Sequence, residues 1–167
     1  MNKKSRKYQH HWHIGLTLFL ISTLNLAGTA PIAAQENQPD WLPFEKALEE
    51  AGEQNKWIMV DVWAPWCGWC LKMQKEVYPS LPGTLTRQFT LTKLNYDERS
   101  DTFNYQNREV SAAVLARMFN IQTVPAIVFL SPDGEYRFHL TGFVKTEPLQ
   151  AVLADIYAQN QHTLQSR

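Results

Sequence analysis

Hydrophobic positions recur at two different periods along this chain, and the switches between them mark out its elements. From Leu42 to Asn55, Phe44, Ala47, Leu48 and Ala51 recur at helical spacing with charged residues between them, which predicts an amphipathic helix weakened at its last turn by Gly52. WIMVDVW (57–63) is then continuously apolar and β-prone except for Asp61, the pattern of a strand covered on both faces. A helix opening at the pair Cys67 and Cys70 runs through LKMQKEVY until Pro79 and Pro82 stop it. The run ending TLTKLNYD (around 89–97) predicts a second strand, whereas ERSDTFNYQNRE (98–109) is polar and without a clear period. SAAVLARMFN (111–120) reads as a helix with Ser111 as cap and Ala112, Leu115, Ala116 and Phe119 as its apolar stripe. VPAIVFL (124–130) is a third strand, SPDG a turn, and EYRFHLTG an antiparallel hairpin partner with Tyr136, Phe138 and Leu140 on one face. Thr146 caps a final helix carrying Leu149, Val152, Leu153, Ile156 and Tyr157. The order α–β–α–β–α–β–β–α predicts a single α/β domain, one mixed sheet with helices on both faces.

The charges change this picture only at the amino terminus. Formal net charge over the 167 residues is zero, yet Lys3, Lys4, Arg6 and Lys7 stand together without an acid, followed by 14 uncharged residues from Ile14 to Ala27 and then AGTAPIAAQ. Basic start, apolar middle and small-residue end is the order of a secretory signal peptide, and the apolar run is short for a membrane span. The expected organisation is a signal peptide at 1–34, a flexible arm at 35–41, the folded domain at 42–158 and a C-terminal tail at 159–167. An uncleaved N-terminal tether is the alternative. Cleavage after Ala34 removes four cations and leaves 133 residues with 12 Lys/Arg against 16 Asp/Glu. No basic tract then remains to suggest nucleic-acid binding.

Candidate chemistry concentrates in WAPWCGWCLKM (63–73), which holds the only two cysteines of the chain. Such a pair can be half of a zinc site, a structural clasp or a redox couple. A zinc site needs four ligands, and no second pair accompanies this one, so no metal is expected unless a dimer shares the site. A clasp over two intervening residues closes too short a loop to restrain much of the unfolded chain. A C-x-x-C following a strand and opening a helix favours the redox reading. At the helix N-terminus Cys67 faces unpaired N–H groups that favour thiolate, so it attacks; Cys70, one turn inward, resolves. Asp61, a carboxylate inside an apolar strand, needs a proton, a partner or a raised pKa, and its simplest role is proton relay for the inner cysteine.

VDVWAPWCGWC closely resembles the active-site segment of the thioredoxin family, and further positions fall where that family has its markers. The resemblance implies a thioredoxin-like fold. It implies that Asp61, six residues before Cys67, assists deprotonation of Cys70, and that Lys93 in KLNYD lies near that acid. It implies that Pro125 is a cis-proline beside the redox pair, that Val124 before it offers backbone hydrogen bonds to a substrate chain, and that Gly142 lines the substrate-facing surface. Trp66, Gly68 and Trp69, placed around the cysteines, are the further residues expected to meet the substrate. Three departures stand out. Trp69 replaces the proline inside the pair, 98–109 lengthens a connection as in exported thioredoxin-like relatives, and residues 35–41 are too polar and short to claim the N-terminal strand.

The expected function is therefore an exported, periplasmic thiol–disulfide oxidoreductase that reduces protein disulfides. It needs no cofactor beyond the reversible Cys67–Cys70 disulfide. Its partners are cysteine-containing proteins and, in an oxidising compartment, a membrane thiol-transfer protein as electron donor to a monomeric enzyme. The alternatives are a disulfide oxidase or isomerase, and a non-catalytic thioredoxin-like binding or assembly module.

Overall fold

A computed structural model of the protein describes residues 39–166; the signal peptide expected at 1–34 lies outside the described residues, as does 35–38 of the arm. Five strands form one sheet in the order β1 (Trp41–Leu42), β3 (Phe89–Asn95), β2 (Trp57–Trp63), β6 (Ala126–Leu130) and β7 (Tyr136–Thr141). β1 and β2 run parallel to β3, and β6 and β7 close the other edge antiparallel. The sheet is mixed, with helices on both faces, as the pattern predicts, and the single α/β domain has the thioredoxin-like fold that the resemblance implies.

Alternation along β2 sorts the chain into two cores. Ile58, Val60 and Val62 enter a core with Phe44, Ala47 and Ala51 of α1 (Phe44–Gln54) and with Ala112, Leu115 and Ala116 of α4 (Ala112–Met118). Met59 enters a second core on the opposite face. There it meets Met73, Val77 and Tyr78, which continue α2 (Gly68–Lys72), and Leu149, Leu153 and Ile156 of α5 (Thr146–Gln165). The helix opened by the cysteines widens over Met73–Val77 and tightens over Tyr78–Ser80 around Pro79, and a single turn, α3 (Gly83–Thr86), leads back to the sheet.

Four features depart from expectation. Trp41, read as the end of a loose arm, pairs with Leu91 in β1. The aperiodic 98–109 segment holds most of a hairpin, β4 (Thr102–Tyr105) and β5 (Arg108–Ser111). Its two-residue turn places Gln106 and Asn107 at φ 50° and 61°, and Phe103 and Tyr105 pack with tilted rings against Phe44. Tyr136 does not share a face with Phe138 and Leu140. A bulge skips Arg137, so that Phe129 opposes Phe138 while Leu130 opposes Tyr136, and Tyr136 turns to stack on Phe119. Thr146 is the first residue of α5 and makes no cap; Lys145 precedes it without a side-chain cap bond, and the helix runs through most of the expected tail to Gln165. Among the described residues no helix is long and apolar enough to cross a membrane.

Candidate active site

The site begins where β2 ends. Its last residue, Trp63, accepts a bond from the Tyr96 N–H at 2.7 Å, and the turn closes with Cys67 N–H donating to Ala64 O at 3.0 Å. Cys67 then stands at the N-cap of α2, where its Sγ accepts from the Cys70 N–H at 3.1 Å. Cys67 and Cys70 are joined as a disulfide, the reversible redox couple expected of the pair. Their backbones are one helical turn apart, and the two side chains differ in access: Cys67 keeps 5% exposure and Cys70 none. The outer sulfur is the one open to solvent. Sulfur accepting a backbone N–H at a helix start is the arrangement that stabilises a thiolate once the bond is reduced.

Val124 packs against the cysteine pair together with Trp63 and Tyr96. The Val124–Pro125 bond is cis, and Pro125 O accepts from the Gly142 N–H at 2.8 Å, so the loops before β6 and after β7 are tied side by side. Gly142 holds φ +85°, a conformation L side chains rarely adopt, which is the reason a glycine stands there. Gly68 has open space where a Cβ would project. Trp66 and Trp69 flank the disulfide with 67% and 59% of their surface exposed, an unusual outlay of aromatic area in solvent. Trp66 is oriented by its Nε1–H, which donates to Asp97 Oδ2 at 2.6 Å. Trp69 lies against Phe143 at 5.2 Å between centroids, with the Lys72 ammonium over both rings.

Asp61 is fully buried, and its two oxygens have separate donors on the helix that carries the cysteines. Tyr78 Oη donates to Oδ1 at 2.8 Å, and Gln74 Nε2 donates to Oδ2 at 3.2 Å. Cys70, Gln74 and Tyr78 are spaced four residues apart, so the acid is held along the same helix one turn beyond the inner cysteine. Burial raises the Asp61 pKa from 3.8 to about 6, against the opposing pull of Tyr78, of the Lys93 charge and of Gln74. Burial also pushes the Tyr78 phenol well above its ordinary value, and the neighbouring carboxylate adds to that push.

Lys93 is the register partner of Asp61 across β2 and β3, but its ammonium does not pair with the acid. It lies 4.5 Å from the centroid of the Trp41 ring, and desolvation lowers its pKa. Trp41 in turn meets Tyr78 edge-on at 5.2 Å. The fold thus brings together Cys67, Cys70 and Val124, ties Pro125 to Gly142, and places Asp61 beside the cysteine helix. Sequence reasoning missed Gln74, Tyr78, Trp41 and Asp97. The four-residue spacing from Cys70 was the available signal for the first two.

A family model described as a thioredoxin-like domain matches residues 44–157. Over 109 residues the chain is 30% identical to a thioredoxin of Alicyclobacillus acidocaldarius, covering 65% of this chain and 90% of that protein. It is 26% identical over 112 residues to the disulfide bond reductase DsbH of Chlamydia pneumoniae, covering 66% of each. It is 27% identical over 94 residues to the thiol:disulfide interchange protein DsbD 2 of Pseudomonas aeruginosa, covering 56% of this chain and only 15% of that protein.

Proposed function

The chain belongs to the thioredoxin-like domain family, and from that premise we propose that it is an exported thiol–disulfide oxidoreductase that reduces protein disulfides. The observation that carries the reading is the Cys67–Cys70 disulfide capping a helix whose next turns grip a buried carboxylate. Cys67 thiolate attacks one sulfur of a substrate disulfide, the other sulfur leaves as thiolate, and a mixed disulfide forms. Asp61 takes up the Cys70 proton, and Cys70 thiolate attacks Cys67 Sγ. The second substrate sulfur departs, leaving a substrate dithiol and the oxidised pair. Two electrons must then return, and in an oxidising compartment a membrane thiol-transfer protein is the donor that suits a cysteine pair.

Val124, Pro125, Gly142, Gly68, Trp66 and Trp69 form the substrate-facing surface in this reading, and Lys93 supports the charge of Asp61. Likeness to a protein named disulfide bond reductase supports the reducing direction, and likeness to an interchange protein supports exchange with another thiol protein. The signal peptide at 1–34 and the domain at 42–158 complete the proposal, with the chain acting outside the cytoplasm. The test is capture: Cys70→Ser holds cysteine-bearing partners as mixed disulfides on Cys67, and Cys67→Ser holds none. A couple with a potential of about −120 mV, that of a strong oxidant, overturns the reducing direction.

The exposed Trp66, Trp69 and Leu71 favour a second reading, a module that holds partners without exchange. Its signature is partner binding that survives the double change Cys67→Ser, Cys70→Ser.

A further inference from the structure

The relay assigned to Asp61 leaves Tyr78, and Trp41 beyond it, without a role. Tyr78 donates to one carboxylate oxygen at 2.8 Å, and its ring is met edge-on by Trp41. Trp41 also holds the Lys93 ammonium 4.5 Å from its ring centroid, although Lys93 is the register partner of Asp61. An ammonium on an aromatic face is held by the ring quadrupole, and a cation so held gives less support to a carboxylate than one paired with it. The two contacts therefore act on the acid with opposite sign. Tyr78 favours the carboxylate, whereas Trp41 withholds the cation that would favour it further.

We propose that Tyr78 and Trp41 are positioning residues that set, in opposite directions, the pH at which Cys70 closes on the mixed disulfide, Tyr78 by donating to Asp61 and Trp41 by holding Lys93 away from it. The proposal rests on the relay reading of Asp61. The groups that bear on the acid are few. Tyr78 and uncharged Gln74 come from the helix, Lys93 from β3, and β6 presents apolar Ile127 at the register position. Trp41 is the first residue of β1, and its ring is the one aromatic face among the described residues that touches both Tyr78 and the Lys93 ammonium.

The test isolates the closing step. Full chain, reduced, is mixed with a chromogenic aromatic disulfide: the first thiol released reports attack by Cys67, the second reports closure by Cys70, and both are followed from pH 5 to 9. Tyr78→Phe keeps the ring and removes the donor. It should move the acid limb of the second phase up by about one pH unit and leave the first phase in place. Trp41→Leu should move that limb down by about half a unit, and the shift should vanish in a Lys93→Met background.

A uniform slowing of Tyr78→Phe without a moved limb assigns Tyr78 a purely structural part and overturns its half of the proposal. A Trp41→Leu shift that persists without Lys93 reports entry of solvent and overturns the other half. Asp61→Asn separates this inference from the reading beneath it. If the limb survives that change, the relay fails; if the limb disappears while Tyr78→Phe and Trp41→Leu leave it unmoved, the relay stands and the proposal falls. Should either variant fail to fold, Gln74→Leu, expected to move the limb up, and Trp41→Phe, expected to move it down less than leucine, carry the same test.

Discussion

The two faces of β2 meet the same problem, a strand whose five central residues are buried, with different materials. One face sends Ile58, Val60 and Val62 into hydrocarbon contributed by α1 and α4. The other sends Met59 into a core just as closed, and with it Asp61, which no solvent reaches. What makes the second face tolerable is local: two donors, Gln74 and Tyr78, arrive from one stretch of helix and satisfy both oxygens. A carboxylate is admitted only where the packed helix brings its partners, and that helix also carries the cysteines. The redox face accepts a strained charge; the opposite face serves cohesion alone.

The sharpest way to break the comparison is to copy the acid onto the wrong face. Val60→Asp puts a carboxylate among Phe44, Ala47 and Leu115, where no such pair of donors waits. The cost should exceed about 4 kcal/mol near neutral pH, most of the stability of a domain at the lower end of the usual range. Circular dichroism through a urea titration at pH 7 reads it, with part of the structure returning below pH 5 as the carboxyl gains its proton. A Val60→Asp protein within about 1 kcal/mol of its parent would end the distinction between the faces.

How much of this could be read from the chain follows from the same contrast. α1 and α5 were legible because burial on one face imposes a period on apolar residues, β2 because burial on both faces makes an unbroken apolar run, and the redox pair because its chemistry has a fixed spacing. The β4–β5 hairpin was not, since most of its residues are exposed and only Phe103, Tyr105 and Val110 anchor it. Tyr136 was assigned the wrong face because a bulge erases the two-residue period at one skipped residue. Asp61 announced itself as a charge out of place, but its partners did not: Gln74 and Tyr78 look like ordinary helix residues until the strand lies beside them. Trp41 was hidden in a polar arm, where the two residues of β1 are too short to carry a pattern.

The stored cost of the acid can be measured directly. Its pKa stands at about 6 in the folded protein against an ordinary 3.8, so the folded state binds the proton more tightly than the unfolded chain. Stability contributed by that proton is complete below the unfolded value and is lost as pH rises through about 6. Asp61→Asn removes this dependence while keeping an acceptor for Tyr78. It should stabilise the protein by about 2 kcal/mol at pH 8 and by little at pH 4, read from urea midpoints with the slope unchanged. An equal difference at both pH values would show that burial does not strain this carboxyl, and the contrast between the faces would shrink to packing.

The smallest effects test whether the apolar face is as free of polar demands as it looks. Thr90 and Thr92 stand opposite Ile58 and Val60 in the parallel register of β3, and both are buried. Thr92 Oγ1 donates to Leu42 O at 2.8 Å and thereby pins the short β1, whereas Thr90 Oγ1 is buried without a partner. A satisfied hydroxyl and an orphan of the same residue type, two positions apart on one strand, should answer the same substitution with opposite sign. Thr92→Val forfeits a hydrogen bond and leaves the Leu42 carbonyl one donor short, at a cost of about 1 kcal/mol. Thr90→Val replaces an unpaired hydroxyl by a methyl in a shape β-sheets favour, and should be neutral or stabilising by up to about 1 kcal/mol. Urea midpoints of the two variants, compared side by side, decide it. If both lose stability alike, hydroxyls on this face are supported by more than the contacts that hold them, and the apolar face is less unlike its partner than the packing implies.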